Sequence, residues 1–211
     1  MADGSDYPAR LEIDYPGLMD RMTTFFRLIW VIPIAIVLGI LANTGGYSHV
    51  EQAGKTVETT GGGITAGLFL ATVLMLVFRQ RYPRWWFDFA VELARFSARV
   101  GAYLFLLTDK YPSTVDTQSV HIEVAYPQVE QLNRWLPLVK WLLAIPHYIV
   151  LAVLSLAAVL VTIVAWFAIL ITGSYPRGMF DFVVGVGRWS TRVWAYAFLL
   201  VTDIYPPFSL R

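Results

Sequence analysis

Apolar residues in this chain gather into long unbroken blocks, at residues 28–42, 64–78 and 138–171, none containing Asp, Glu, Lys or Arg except Lys140. Blocks of this kind predict membrane helices rather than half-buried strands. The third block holds 34 residues and, as one helix, would extend about 50 Å, well beyond a hydrocarbon core of roughly 30 Å. It therefore reads either as a hairpin of two short helices or as one tilted helix preceded by an interfacial one. The parallel with the first two blocks favours the hairpin, although residues 151–161 offer no Gly, Pro or Asn for the turn. Two short stretches, residues 11–16 and 122–127, alternate apolar with polar residues and end in Tyr-Pro, so they predict strands. Residues 43–63 form a polar, glycine-rich insert and read as an extramembrane loop.

Two further segments carry a different pattern and nearly repeat one another. Tyr82-Pro83-Arg84 opens YPRWWFDFAVELARFSARVGAYLFLL, and Tyr175-Pro176-Arg177 opens YPRGMFDFVVGVGRWSTRVWAYAFLL, with sixteen of twenty-six positions identical. Repetition at a constant offset predicts a tandem duplication. The units are residues 1–116, which carry the insert 43–63, and residues 117–211. In the first striped segment Asp88, Glu92, Arg95 and Arg99 fall within an arc of about 60° on a helix. Asp181, Arg188 and Arg192 reproduce the stripe, with Gly185 at the position of Glu92. Both segments predict amphipathic helices lying at the membrane interface.

Ile32-Pro33 and Ile145-Pro146 occur at corresponding places, and proline there kinks a helix or marks its first turn. The fold expected is thus an all-α integral membrane protein with two helical hairpins and two interfacial amphipathic helices. The strand-like stretches would add a small two-strand cytoplasmic cap.

Composition sharpens this picture. The chain is 57% hydrophobic and 15% charged, with a mean hydropathy of +0.57 and a net charge of +1. Basic residues are scattered among aromatics instead of forming a solvated stripe, which argues against nucleic acid as a partner. With no cysteine, disulfides, thiolate metal sites and cysteine nucleophiles are excluded. The first ten residues lack the basic and apolar regions of a cleaved signal peptide.

Charge placement orients the expected helices. If the striped helices lie flat, Arg10, Arg21, Arg27, Arg79, Arg81, Arg84, Lys110, Arg134, Lys140, Arg177 and Arg211 share one side, and only Lys55 faces the other. The positive-inside bias then places both termini in the cytoplasm.

Asp88, Glu92, Arg95, Arg99, Asp181, Arg188 and Arg192 form the sharpest candidate site. Ionisable residues in membrane helices are costly, and guanidinium forks suit lipid phosphates. The plainer reading is mutual neutralisation of the acidic and basic residues, beginning with a Glu92–Arg95 pair. His147 follows Pro146 in an apolar segment and is a weak candidate to ligate haem or a pigment, although a packed structural histidine is the simpler account. No metal site or cofactor is expected. The tryptophans read as an interfacial belt, and the Tyr-Pro pairs as punctuation between elements. GxSxG and HExxH are absent, so no nucleophile or metal-bound water is nominated.

The order Tyr-Pro, Ile-Pro, then Tyr-Pro-Arg with Phe-Asp-Phe and Ala-Tyr-x-Phe-Leu-Leu resembles an uncharacterised bacterial membrane family, a domain of unknown function often found in tandem. Residues 7–112 and 120–208 carry the resemblance. It implies membrane residence and duplication, and no activity. The expected role is a non-catalytic accessory or scaffold subunit in the bacterial cytoplasmic membrane. Its expected partners are lipid and other membrane subunits or further copies of itself. A small transporter or channel with a charged site between the repeats, and a pigment- or haem-binding subunit using His147, are the alternatives.

Overall fold

Two strands from opposite halves of the chain meet at their centres. β1 (Ala9–Ile13) pairs antiparallel with β4 (Val120–Val124), with Leu11 opposite Ile122. Alternation buries Ala9, Leu11, Val120 and Ile122 on one face and leaves Arg10, Glu12, His121 and Glu123 exposed on the other. The computed structural model describes residues 7–42, 46–52, 55–61, 64–113, 116 and 118–211. The expected division at residues 116 and 117 falls partly outside them, as do residues 43–45, 53, 54, 62 and 63 of the insert.

Helix α1 (Arg21–Ala42) leads into a second antiparallel pair, β2 (Gly46–Gln52) and β3 (Lys55–Gly61). The insert is therefore a β-hairpin for most of its length where a loop was expected, and the chain is not all-α. α2 (Ile64–Leu74) continues through a wide helical turn (Met75–Arg79), which ends at Gln80 in the left-handed region. α3 (Arg84–Leu104) follows, opened by Pro83. The second half runs β4, two 3-10 turns (Val129–Gln131 and Leu136–Leu138), α4 (Lys140–Leu143), α5 (Ile145–Thr172) and α6 (Arg177–Ala197). Pro146 sits in the first turn of α5, where a missing N–H costs nothing, whereas Pro33 lies inside α1.

The hairpins are the main expectation the structure overturns. Residues 145–172 form one helix of about 42 Å, closed by Gly173 in a left-handed conformation. With no turn-forming residue in 151–161, each backbone N–H there keeps its helical partner. In the first half, α1 and α2 do not fold back along each other. α1 begins where α5 ends: the Arg21 guanidinium donates to Ile171 O and the Met19 N–H to Gly173 O. α2 finishes where α5 begins: Arg134, just before α4, donates to Val77 O and Phe78 O. α1 and α2 together thus run the length of α5, antiparallel to it, with the β2–β3 hairpin inserted between them.

α3 and α6 lie between these long helices and the β1–β4 sheet. α6 packs along α5, with Trp189, Val193 and Tyr196 beside Ala144, Tyr148 and Leu151. α3 packs on α1 in the same manner, with Phe96, Val100 and Tyr103 beside Val31, Ile34 and Leu38. Across the opposite flank, Leu11, Val120 and Ile122 join Phe180, Val183 and Val184 in the largest core cluster.

α1 and α5 are both long and apolar enough to cross a membrane, and only 17% of each apolar window is buried. Their outward faces expose Leu28, Ile29, Ile36, Ile40, Ile149, Val153, Leu156, Leu160 and Phe167.

Candidate functional site: paired ionic joints and an apolar cavity

The stripe is held by backbone. Arg95 Nε donates to Ile122 O (3.0 Å) and Arg188 Nε to Leu11 O (3.1 Å), so each striped helix grips the strand contributed by the other half. Arg99 donates to Ser113 O, and Arg192 to Ser209 O, in the segments that follow α3 and the end of the chain. Glu92 pairs with Arg95, as its spacing suggests. Gly185 replaces Glu92 in α6 because the C-terminal segment crosses there: a Cβ would lie 2.8 Å from Leu210 O. Asp88 and Asp181 are exposed and form no ion pair among the described residues. Stripe arginines thus reach carbonyl oxygens on a neighbouring sheet and tail, positions that helix periodicity cannot reveal.

Two buried cations, which sequence patterning left without a role, occupy matching places. Arg27 is 2% exposed; it donates to Tyr103 O and Thr108 O, pairs with Asp109, and lies 4.5 Å from the Tyr103 ring centroid. Lys140 is fully buried; it donates to Thr202 O (2.8 Å), lies 2.7 Å from Asp203 Oδ1 and sits over Tyr196. Burial pushes the Lys140 ammonium below its ordinary pKa, and Asp203 opposes that shift. Asp203 also accepts from the Asn133 N–H. Each joint depends on a reversal after the striped helix, where Leu106 (φ 63) and Leu200 (φ 60) adopt the left-handed conformation. A bulky residue there is strained, and both leucines are held by burial. The available signal was a repeated Leu-Leu-Thr-Asp and Leu-Leu-Val-Thr-Asp, disguised by the extra Val201.

The Tyr-Pro tyrosines do more than punctuate. The Tyr15 hydroxyl donates to Tyr175 O and the Tyr126 hydroxyl to Tyr82 O, each bond joining the two halves. Arg177 and Arg84 stack over those same two rings.

His147 is enclosed. Its Nδ1 accepts from Trp189 Nε1, its ring stacks on Phe208 at 4.1 Å, and Tyr205 lies beside it. Nε2 is buried without a hydrogen-bond partner among the described residues. The acceptor role of Nδ1 places the proton of neutral imidazole on Nε2. Pigment ligation would require that proton to leave and the atoms that bury Nε2 to move aside.

An apolar cavity of about 550 Å³ opens between α2, α3 and α6. Phe69, Trp86, Leu93, Trp194 and Phe198 form much of its wall. The hydroxyls of Thr72, Ser97 and Thr191 line it too, but each donates back to its own helix. Among the described residues, no Asp, Glu, Lys, Arg or His lines it. On α3 the lining residues Ala90, Leu93 and Ser97 lie opposite Asp88, Glu92 and Arg95, so cavity and stripe occupy different faces of one helix.

Among known proteins, no curated protein and no solved structure matches the chain. Residues 135–209, which include α5, α6 and the Lys140–Asp203 joint, match the model of DUF4389, a domain of unknown function.

Proposed function

We propose that this chain is a non-catalytic integral membrane protein that serves as an accessory or scaffolding subunit of a larger membrane complex. One observation carries the reading: the buried charges join elements of the fold, while the free surface of α1 and α5 is apolar. Arg27, Lys140, Arg95, Arg99, Arg188 and Arg192 all engage backbone oxygens or a carboxylate. The outward faces of α1 and α5 expose large side chains that suit lipid or another apolar protein surface. Charge asymmetry in the sequence favours both termini on the cytoplasmic side of a bacterial membrane.

Lipid contact follows from the same geometry. Because the stripe arginines grip sheet and tail, anionic headgroups meet the exposed Arg79, Arg81, Arg84, Lys110, Arg134 and Arg177 at the helix ends first. A charged transport site gains no support from the cavity, whose lining carries no Asp, Glu, Lys, Arg or His among the described residues. Pigment binding gains none from His147, which does not line it.

Gentle detergent extraction from native membranes, followed by an absorption spectrum and native mass spectrometry, tests the role. Stoichiometric co-purifying subunits are the expected result. A colourless protein carrying only lipid, alone or with copies of itself, would overturn the accessory role.

A further inference from the structure

We infer that α1, α2 and α5 lie in one leaflet, with their axes close to the membrane plane, and that α5 does not carry the chain across the bilayer. The inference rests on the membrane reading above and concerns which surface meets lipid. Length and apolarity alone would make α5 a span, but the position of the β1–β4 sheet argues otherwise. Arg95 and Arg188, which bond the sheet, sit one residue past the centres of α3 and α6. α6 in turn packs along α5 from Ala144 to Ile169. The sheet therefore stands halfway along the long helices, on the flank away from α5.

Its exposed face carries Arg10, Glu12, His121 and Glu123, and Asp14 lies beside His121. If α5 stood upright, these ionisable groups would sit near the bilayer centre, where charged side chains are expelled. Both ends of the helix layer are charged as well: Arg21, Asp109 and Lys110 where α5 finishes, Arg81, Arg134 and Asp203 where it starts. The flank opposite the sheet is different. Residues 28–42, 64–78 and 141–176 contain no Asp, Glu, Lys or Arg, and His147 among them is buried. One flank is thus polar, both ends are polar and the helices of the remaining flank are apolar, interrupted in sequence by the polar β2–β3 hairpin between α1 and α2. A slab with that distribution seats its apolar flank in hydrocarbon and keeps its rim at the headgroups. One layer of helices is about 10–12 Å thick, which fits a leaflet of roughly 15 Å. Amphipathic elements seated in this way enter to a similar depth.

The absence of native cysteine makes the test direct. Single cysteines replace Arg81, Lys110 and Glu123, all exposed and placed at the two ends and on the sheet. An impermeant thiol reagent is applied to the full-length protein in intact cells and in inverted membrane vesicles. All three cysteines should label in the same preparation and be protected in the other. Labelling of Arg81→Cys and Lys110→Cys from opposite sides would show a span and overturn the proposal. So would a Glu123→Cys that stays shielded in both preparations until detergent is added. Recovery of the wild-type protein in the soluble fraction of lysed cells would instead reject the membrane reading itself.

Discussion

Replacing Asp203 by Asn isolates the energetics of the Lys140 joint. The amide is nearly isosteric, but its single oxygen cannot serve both the Asn133 N–H and Lys140, so a fully buried ammonium keeps the Thr202 carbonyl and loses its carboxylate. Removing one member of a buried pair costs about 3–5 kcal/mol, and the partial exposure of Asp203, 24%, places this case near the lower end. For a chain of this size about 3 kcal/mol corresponds to a fall of roughly 6–12 °C in Tm. Lys140→Met removes the desolvated charge and keeps the stem, so it should cost only about 1 kcal/mol. The double variant should then resemble Lys140→Met alone, giving a coupling of about 3 kcal/mol.

The effect also has a pH signature. Burial holds the Lys140 pKa below its ordinary value, so the folded state binds this proton less tightly than the unfolded one. The penalty is complete below the folded pKa and fades as pH rises from there towards the unfolded value, about 10.4. Losing Asp203 lowers the folded pKa further, so relief begins at lower pH and the gap between variant and wild type narrows with rising pH. Thermal unfolding in mild detergent, followed by circular dichroism across a pH series, measures both effects. Additive single variants, or an Asp203→Asn protein within a degree or two of wild type, would refute the reasoning.

Three other outcomes are expected. Burial raises the phenols of Tyr7 and Tyr82, so they contribute stability that is complete below the unfolded tyrosine pKa of about 10 and is lost as pH climbs beyond it. A pH titration should show part of the tyrosinate absorbance appearing only with unfolding, and a full, early titration of all tyrosines would contradict this. Gly185→Ala should force the C-terminal segment off α6 at a cost of about 1–3 kcal/mol, detected as faster carboxypeptidase trimming, whereas Glu92→Gly should leave trimming unchanged. Arg95→Gln and Arg188→Gln should each lower stability by about 1.5–3 kcal/mol by releasing a strand, with membrane insertion intact. Unaltered unfolding of both arginine variants would argue against the strand-gripping role.

The helices and the short strands were legible because their signals are local: apolar blocks, a narrow charged arc, alternation ending in Tyr-Pro. The destination of the stripe was not, since Arg95 and Arg188 find carbonyls more than 25 residues away or nearly the whole chain away. The hairpin expectation failed because analogy with the first half outweighed a sound local observation, the absence of any turn-forming residue in 151–161. Asp109 and Asp203 escaped notice because each is useful only beside a cation about 60 to 80 residues distant. The exposed Trp85, Trp135 and Trp141 suit the expected belt, but Trp189 is buried against His147.

The crossed bonds between the halves bear on how such a protein could assemble. Tyr15, Leu11, Tyr126 and Ile122 all find their partners in the opposite half. A chain containing one half alone would leave its strand without a mate and its striped helix without a strand. It could complete the arrangement only with a chain that supplies the missing strand and carbonyls of the other half. The link between the halves therefore holds each strand beside the helix that grips it, and two separately expressed halves should recover the fold only when produced together.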